Sequence, residues 1–208
     1  MVKARPGHPT QAQTAALRQR LREAAVATFL EKGYDGTTME AIAQAAGTTK
    51  RSLYARYPDK RAVFLDVIPW AFTRAVENDT IRRVNSDDLR GALIAIGRGA
   101  LKRALDPDVV QLHRIARSEA HRFPEFSLSA ESLSWAPRQR QVMELLEAHV
   151  EAGSIEIGNI EIAAEHFLAM VEAFPARLAE FGIYRSRNTQ LRRITEAVDL
   201  FLHGVSRR

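Results

Sequence analysis

The chain has 208 residues, 46% of them hydrophobic and 26% charged, a balance that suits a soluble globular protein of one large or two small domains. It contains no cysteine, which excludes disulfides, thiolate metal sites and thiol-based redox sensing. The formal net charge of +5 is unevenly spread: residues 1–62 hold eleven Lys or Arg against five Asp or Glu, a net of +6, and the remainder holds nineteen against twenty, a net of −1. Such asymmetry predicts one part that meets an anion and another with a different task.

The opening run MVKARPGHPT is basic, carries Lys3 and Arg5 beside Pro and Gly, and lacks the apolar stretch of a secretory signal. Residues 1–12 read as a flexible basic arm, a candidate to track a minor groove or simply to stay disordered. The most apolar window, AVFLDVIPWAF, is interrupted by Asp66 and Pro69, so no membrane span is expected and the cytoplasm is the expected location. From Gln13 to Lys32, Leu17, Leu21, Ala24, Ala25, Thr28 and Phe29 fall on one helical face, and Gly33 stands where a left-handed cap residue is expected. A short second helix begins at Thr37 or Thr38, with Thr37 and Glu40 at capping-box spacing, and ends at Ala46-Gly47.

Thr49 is placed to N-cap a third helix running through Tyr54, Pro58 stops it, and Asp59 can cap a fourth that starts at Lys60. Two short helices joined by a Gly-containing turn make a helix-turn-helix, with Phe29, Ile42, Ala46, Leu53 and Tyr57 as its expected interior. Residues 13–60 are therefore read as a three-helix DNA-binding domain and residues 61–208 as a larger helical domain. The fold class is all-α, about nine helices in total. Breaks are expected at Asn85 to Asp87, Asp106-Pro107, Phe123-Pro124, Ala136-Pro137, Gly153-Ser154, Pro175 and Arg185 to Asn188.

The last two helical stretches are apolar on more than one face, and such a helix must be covered on both. The second cover is either the domain's own core or another subunit. Phe167, Met170, Val171, Phe174, Leu191, Ile194, Val198 and Phe201 are the expected dimer interface on the second alternative.

The segment TTMEAIAQAAGTTKRSLYARYPDKRAVF resembles the DNA-binding core of TetR-family transcriptional regulators. It has a Thr before the second helix, I-A-x-x-A-G into the turn, a hydroxyl residue and Lys opening the third helix, then L-Y, an aromatic-Pro pair and a Lys opening the fourth. The likeness covers about residues 14–66, and HRFPEF and AGSIEIGNIEIAAEHFLAM look like a C-terminal domain common in one broad subgroup. Thr48 departs from the family's usual apolar residue, Arg51 from a small one and Arg61 from a frequent acid.

In a helix-turn-helix, the N-terminal residues of the second helix meet base edges in the major groove. That makes Thr49, Lys50, Arg51, Ser52 and Tyr54 candidate reading residues, with Arg51 placed to pair with guanine O6 and N7. Thr38, Arg56 and Lys60 are expected phosphate clamps, roles that the resemblance supports for Thr38, Tyr54 and Lys60. The resemblance further implies a homodimer on a palindromic operator in double-stranded DNA, released by an unknown small-molecule effector. The expected effector pocket is lined by His113, Arg117, His121, Trp135, Met143, His166 and Phe174.

Six histidines are scattered without the spacing of a helical metal site, and no phosphate loop or nucleophile elbow is present. No metal, no cofactor and no enzymatic activity are therefore expected. An all-helical enzyme or carrier, and a nonspecific DNA-packaging protein, are the competing readings. The slightly acidic remainder of the chain speaks against the second of these.

Overall fold

A computed structural model describes residues 11–77 and 87–205, with the backbone alone at 73, 75–77 and 125–136. The described residues are helical, without strands. They fall into two compact units that divide between Ile68 and Pro69.

In the first unit, α1 spans Gln11–Gly36, α2 Met39–Ala45 and α3 Lys50–Tyr54, and α4 starts at Lys60. Gly33 takes φ 67°, the left-handed conformation that a side chain would disfavour, and kinks α1 at the position where the sequence pattern places a cap, the helix resuming to Gly36. The cap of α2 is Thr38 rather than Thr37: the Ala41 N–H donates to the Thr38 Oγ1 at 3.1 Å. Thr37 is buried instead, and its hydroxyl donates to the Gly33 carbonyl at 2.7 Å, closing the end of α1. The expected capping box is thus replaced by two neighbouring threonines with opposite jobs. Gly47 (φ 61°) makes the turn, Thr49 accepts from the Ser52 N–H at 3.2 Å, and Asp59 accepts from the Ala62 N–H at 2.8 Å.

Phe29, Ile42, Ala46, Leu53 and Tyr57 are all buried, as the sequence pattern predicts. Phe64, from the first turns of α4, joins them: its ring stands edge-on to Phe29 at 5.2 Å and to Tyr34 at 5.0 Å between centroids. Val63, Val67 and Ile68 are also fully buried. This is why the first unit continues to Ile68, past the boundary expected at residue 60. Each such aliphatic or aromatic side chain contributes roughly 1.5–3 kcal/mol by leaving water.

α4 runs Lys60–Glu77 and carries the chain into the second unit, with Pro69 inside it. There α5 spans Leu89–Ala104, α6 Pro107–Glu119, α7 Pro124–Glu151 and α8 Ile160–Leu168. A π-helical turn, Ala169–Ala173, leads directly into α9, Phe174–Glu180, and α10 spans Arg187–Val205. Counting Ile160 to Glu180 as one helix, the described residues form nine. Asp106 caps α6 with Pro107 at its start, and Pro124 likewise opens α7.

Two expected breaks are absent. α7 continues through Pro137, and the helix also continues through Pro175. Proline cannot donate to the carbonyl four residues back, and its ring crowds that carbonyl. The wider π-turn immediately before Pro175 relieves the conflict without ending the helix.

The core of the second unit gathers Leu93, Ile96 and Leu101 of α5, Val142 and Leu146 of α7, Phe167 and Leu168 of α8, and Ile194, Val198 and Phe201 of α10. Gly97 lets α5 come close: a Cβ there meets Ile194 Cγ2 at 3.1 Å and Val171 Cγ1 at 3.5 Å. Charges are buried too. Arg138 donates to Glu172 at 2.7 Å and to the Ala100 carbonyl at 3.2 Å. Burial pushes the Glu172 carboxyl up to about 7 against the pull of Arg138. No helix among the described residues is long and apolar enough to cross a membrane.

Candidate nucleic-acid interface

The local caps fix where the candidate side chains sit. Thr38 is exposed, and because its oxygen accepts from Ala41, its hydroxyl hydrogen is left to donate outward. Thr49, Lys50 and Arg51 lie at the exposed start of α3, Ser52 is half-buried, and Tyr54 is 48% exposed. Leu53, between them, is fully buried and anchors the helix. Arg51 and Arg56 are exposed and carry no ion pair among the described residues, so both guanidinium groups face solvent with their donors available.

The other two basic residues are held. The Lys50 ammonium lies 2.5 Å from a Glu40 carboxylate oxygen, bridging the first turns of α3 and α2. The hydrogen bond from Lys50 keeps the Glu40 carboxyl below its usual range. The Lys60 ammonium donates to the Tyr34 carbonyl at 2.7 Å and stands 4.4 Å from the centre of the Tyr34 ring. A longer bond, 3.4 Å, reaches the Asp35 carbonyl. Lys60 thereby ties the start of α4 to the end of α1, leaving one N–H for an outside acceptor.

Behind this surface, Asp66 of α4 accepts from Arg22 of α1 through Nε at 3.0 Å and through Nη2, and from the Tyr57 hydroxyl. Burial alone raises the Asp66 carboxyl; the hydrogen bonds from Arg22 and Tyr57 outweigh it and bring the group below its ordinary value. Burial and the bond to Asp66 push the Tyr57 hydroxyl up to about 12. Sequence spacing identifies Tyr57 as a packing aromatic but gives no sign of its partners, which lie 9 and 35 residues away along the chain.

Two family models match. "Bacterial regulatory proteins, tetR family" covers residues 21–67, and "AefR-like transcriptional repressor, C-terminal domain" covers residues 91–204, more than half the chain. The chain belongs to the TetR family. Its solved neighbours agree across nearly the whole length. A Mesorhizobium loti protein ascribed to the TetR-family transcriptional regulators is 24% identical with a TM-score of 0.85, over 94% of this chain and 99% of that one. The Flavonoid-responsive Regulator FrrA is 28% identical with a TM-score of 0.78, over 93% and 99%. The negative regulator IcaR of the Staphylococcus aureus biofilm operon icaADBC is 32% identical over 56 residues. That match spans only 27% of this chain and 30% of IcaR. TetR-family membership makes this a DNA-binding transcriptional regulator.

In the C-terminal domain of this TetR-family chain, the expected interface and pocket residues separate. Phe167, Val171, Ile194, Val198 and Phe201 are buried in the core of the domain. Met170 and Leu191 are half-buried, and Phe174 is 48% exposed with the Arg185 and Arg193 guanidinium groups over its ring. The apolar periodicity thus includes the side chains that pack the domain's core as well as the more exposed Met170, Phe174 and Leu191.

The pocket candidates differ in exposure. Arg117 is exposed and pairs with Glu180 at 3.1 Å; His121, His166 and Phe174 are exposed. His113 is half-buried with its ring 4.6 Å from that of Phe72, and Met143 packs half-buried against the core. Trp135 lies outside the described side chains, as do residues 1–10 of the basic arm. The buried pair Arg138–Glu172 is not legible in the sequence. An Arg and a Glu that lie 34 residues apart carry no local signal of contact. Among the described residues no group of three or more His, Asp or Glu is placed to hold a metal ion.

Proposed function

We propose that this regulator is a cytoplasmic homodimeric repressor that binds a palindromic operator and is released from it by a small-molecule effector. The observation that carries the reading is the exposed start of α3, with Arg51 presented beside Thr49 and Ser52 on a helix anchored by Leu53. Arg51 reads guanine through O6 and N7, Lys50 and Ser52 add base or phosphate contacts, and the Tyr54 ring meets a thymine methyl. Thr38, Arg56 and the remaining N–H of Lys60 clamp phosphates and fix the register.

Two heads meet half-sites about one turn apart, ~34–36 Å, and dimer symmetry makes the operator a palindrome. The self-association surface is the expected set: Met170, Phe174 and Leu191 at the surface, flanked by exposed Ile162 and Leu200 and backed by buried Phe167, Val171, Ile194, Val198 and Phe201. The likeness to a repressor C-terminal domain supports repression. An effector binding the C-terminal domain and favouring one state shifts a 1:99 population to 99:1 with ~5.5 kcal/mol of differential affinity. Because a relative is named for its response to flavonoids, a flavonoid panel is the first effector set to screen.

The test is a gel shift and footprint on DNA flanking the protein's own gene. A salt-sensitive shift with a two-fold symmetric footprint, lost on effector addition, supports the reading. No sequence-selective shift, or turnover of a small molecule without one, sinks it.

A further inference from the structure

The reading and clamping roles above give Lys50 a base or phosphate contact but leave Glu40, its ion-pair partner, without a role. The Glu40–Lys50 bridge joins the first turn of α2 to the first residue of α3, with both side chains more than half exposed. Neither end is set by a floppy loop. Thr38 caps α2, Thr49 caps α3, and the left-handed Gly47 fixes the turn between them. The pair therefore sits on the same exposed edge as Thr38, Thr49 and Arg51.

A lone lysine at this place is a compact charge on a flexible stem. It pairs with any phosphate and adds affinity that depends on salt and ignores sequence. Bridged to Glu40, it carries no net charge into the first encounter. Trading Glu40 for a phosphate strands a carboxylate against the polyanion, so nothing is gained. An ammonium has three donors, however, and Glu40 uses one. The other two match the O6 and N7 acceptors that guanine presents together in the major groove.

We propose that Glu40 and Lys50 act as one neutral reading unit, in which the carboxylate withholds the ammonium from phosphates and aims it at a guanine edge. Glu40 is then a positioning residue for specificity, and the unit depresses sequence-independent binding while Arg51 and Arg56, which carry no acid partner among the described residues, supply the attraction to DNA. The inference rests on the DNA-reading role of α3.

The experiment uses the full-length protein, with fluorescence anisotropy on its footprinted operator and on a random duplex between 50 and 200 mM salt. For Glu40→Gln, release of one cation onto phosphate tightens random-duplex binding about eightfold at 0.1 M salt and steepens the log–log salt slope by ~0.9. Operator affinity rises less, so the specificity ratio falls. Adding Lys50→Met restores the wild-type charge: the random-duplex slope returns to its starting value, while the preference for guanine at one operator position is lost. Circular dichroism melts confirm that each variant folds, which the exposed positions favour.

Unchanged random-duplex affinity and salt slope in Glu40→Gln would show an ordinary surface ion pair and overturn the inference alone. Loss of operator affinity with random binding unchanged overturns it as well, because Glu40 then reads a base itself. A wild-type protein that binds no duplex overturns the DNA-reading role of α3 and this inference with it.

Discussion

The two compact units handle charge in opposite ways. In the N-terminal unit the interior is aromatic and apolar (Phe29, Phe64, Ile42, Leu53), and the ions sit at its edge, as in the Arg22–Asp66–Tyr57 cluster, or on its exposed face. In the C-terminal unit Arg103, Glu119, Arg138 and Glu172 are buried along with the aliphatic core. A surface that must meet a polyanion keeps its cations accessible. A helical interior that encloses ions must satisfy them with one another and with backbone carbonyls, at a large desolvation cost. Net charge alone, +5 (11 − 6) for residues 1–68 against 0 (19 − 19) for residues 69–208, understates the contrast, because four charged side chains of the second unit are buried.

The sharpest way to break the comparison is to hollow out each unit in turn. Phe29→Ala removes the ring shared by the Phe64 and Tyr34 contacts and is expected to cost about 3–5 kcal/mol. A thermal melt reads it, with loss of DNA binding; a change under 1 kcal/mol would mean that the aromatic cluster is not what holds the head together.

Next comes the buried carboxyl. The Glu172 group is raised from an ordinary 4.5 to about 7, so the folded state keeps its proton longer than the unfolded chain does. Its contribution is therefore greatest below pH 4.5 and declines as pH rises to 7, by roughly 3 kcal/mol for a shift of that size. Denaturant titrations at pH 5 and 7.5 should show this slope flattened in Glu172→Gln. An equal slope in both proteins would place the pH dependence elsewhere.

In the head, Arg51→Ala is expected to lose ~1–3 kcal/mol of discrimination at one base position, measured by competition with operator variants. Uniform weakening on all sequences would make Arg51 a phosphate contact instead. The smallest effect is at the edge cluster: Tyr57→Phe removes the hydrogen bond to Asp66 while keeping the ring, for about 1 kcal/mol in a denaturant titration. The Asp66 carboxyl lies below its ordinary value, so the stability it lends is present above the unfolded pKa and lost as pH falls through the folded one. Tyr57→Phe should narrow that acid loss, because it removes one of the bonds that hold the carboxylate.

Much of the head was legible because its signals are local. Caps at Thr49 and Asp59, the left-handed Gly33 and Gly47, and the apolar spacing of Phe29, Ile42 and Leu53 all act within a few residues. The choice between Thr37 and Thr38 as cap was not legible. Both are threonines, and only the end of α1 decides which hydroxyl is buried. Pro137 and Pro175 misled for a related reason: a proline weakens a helix locally, whereas packing along the whole helix can carry it through.

The sequence by itself determined an all-helical chain, a basic first third, the helix-turn-helix and the residues on its exposed edge, because helical period and capping are short-range physics. Tertiary structure decided which faces are buried. The stripe of Phe167, Val171, Ile194, Val198 and Phe201 has a periodicity that does not say what covers it, and packing with α5 and α7 is what buries it. It likewise decided the pairings of Lys50 with Glu40, Lys60 with the Tyr34 carbonyl and Arg138 with Glu172. Ion pairs across a turn or between helices depend on where the backbone brings charges together, and sequence separation does not encode that distance.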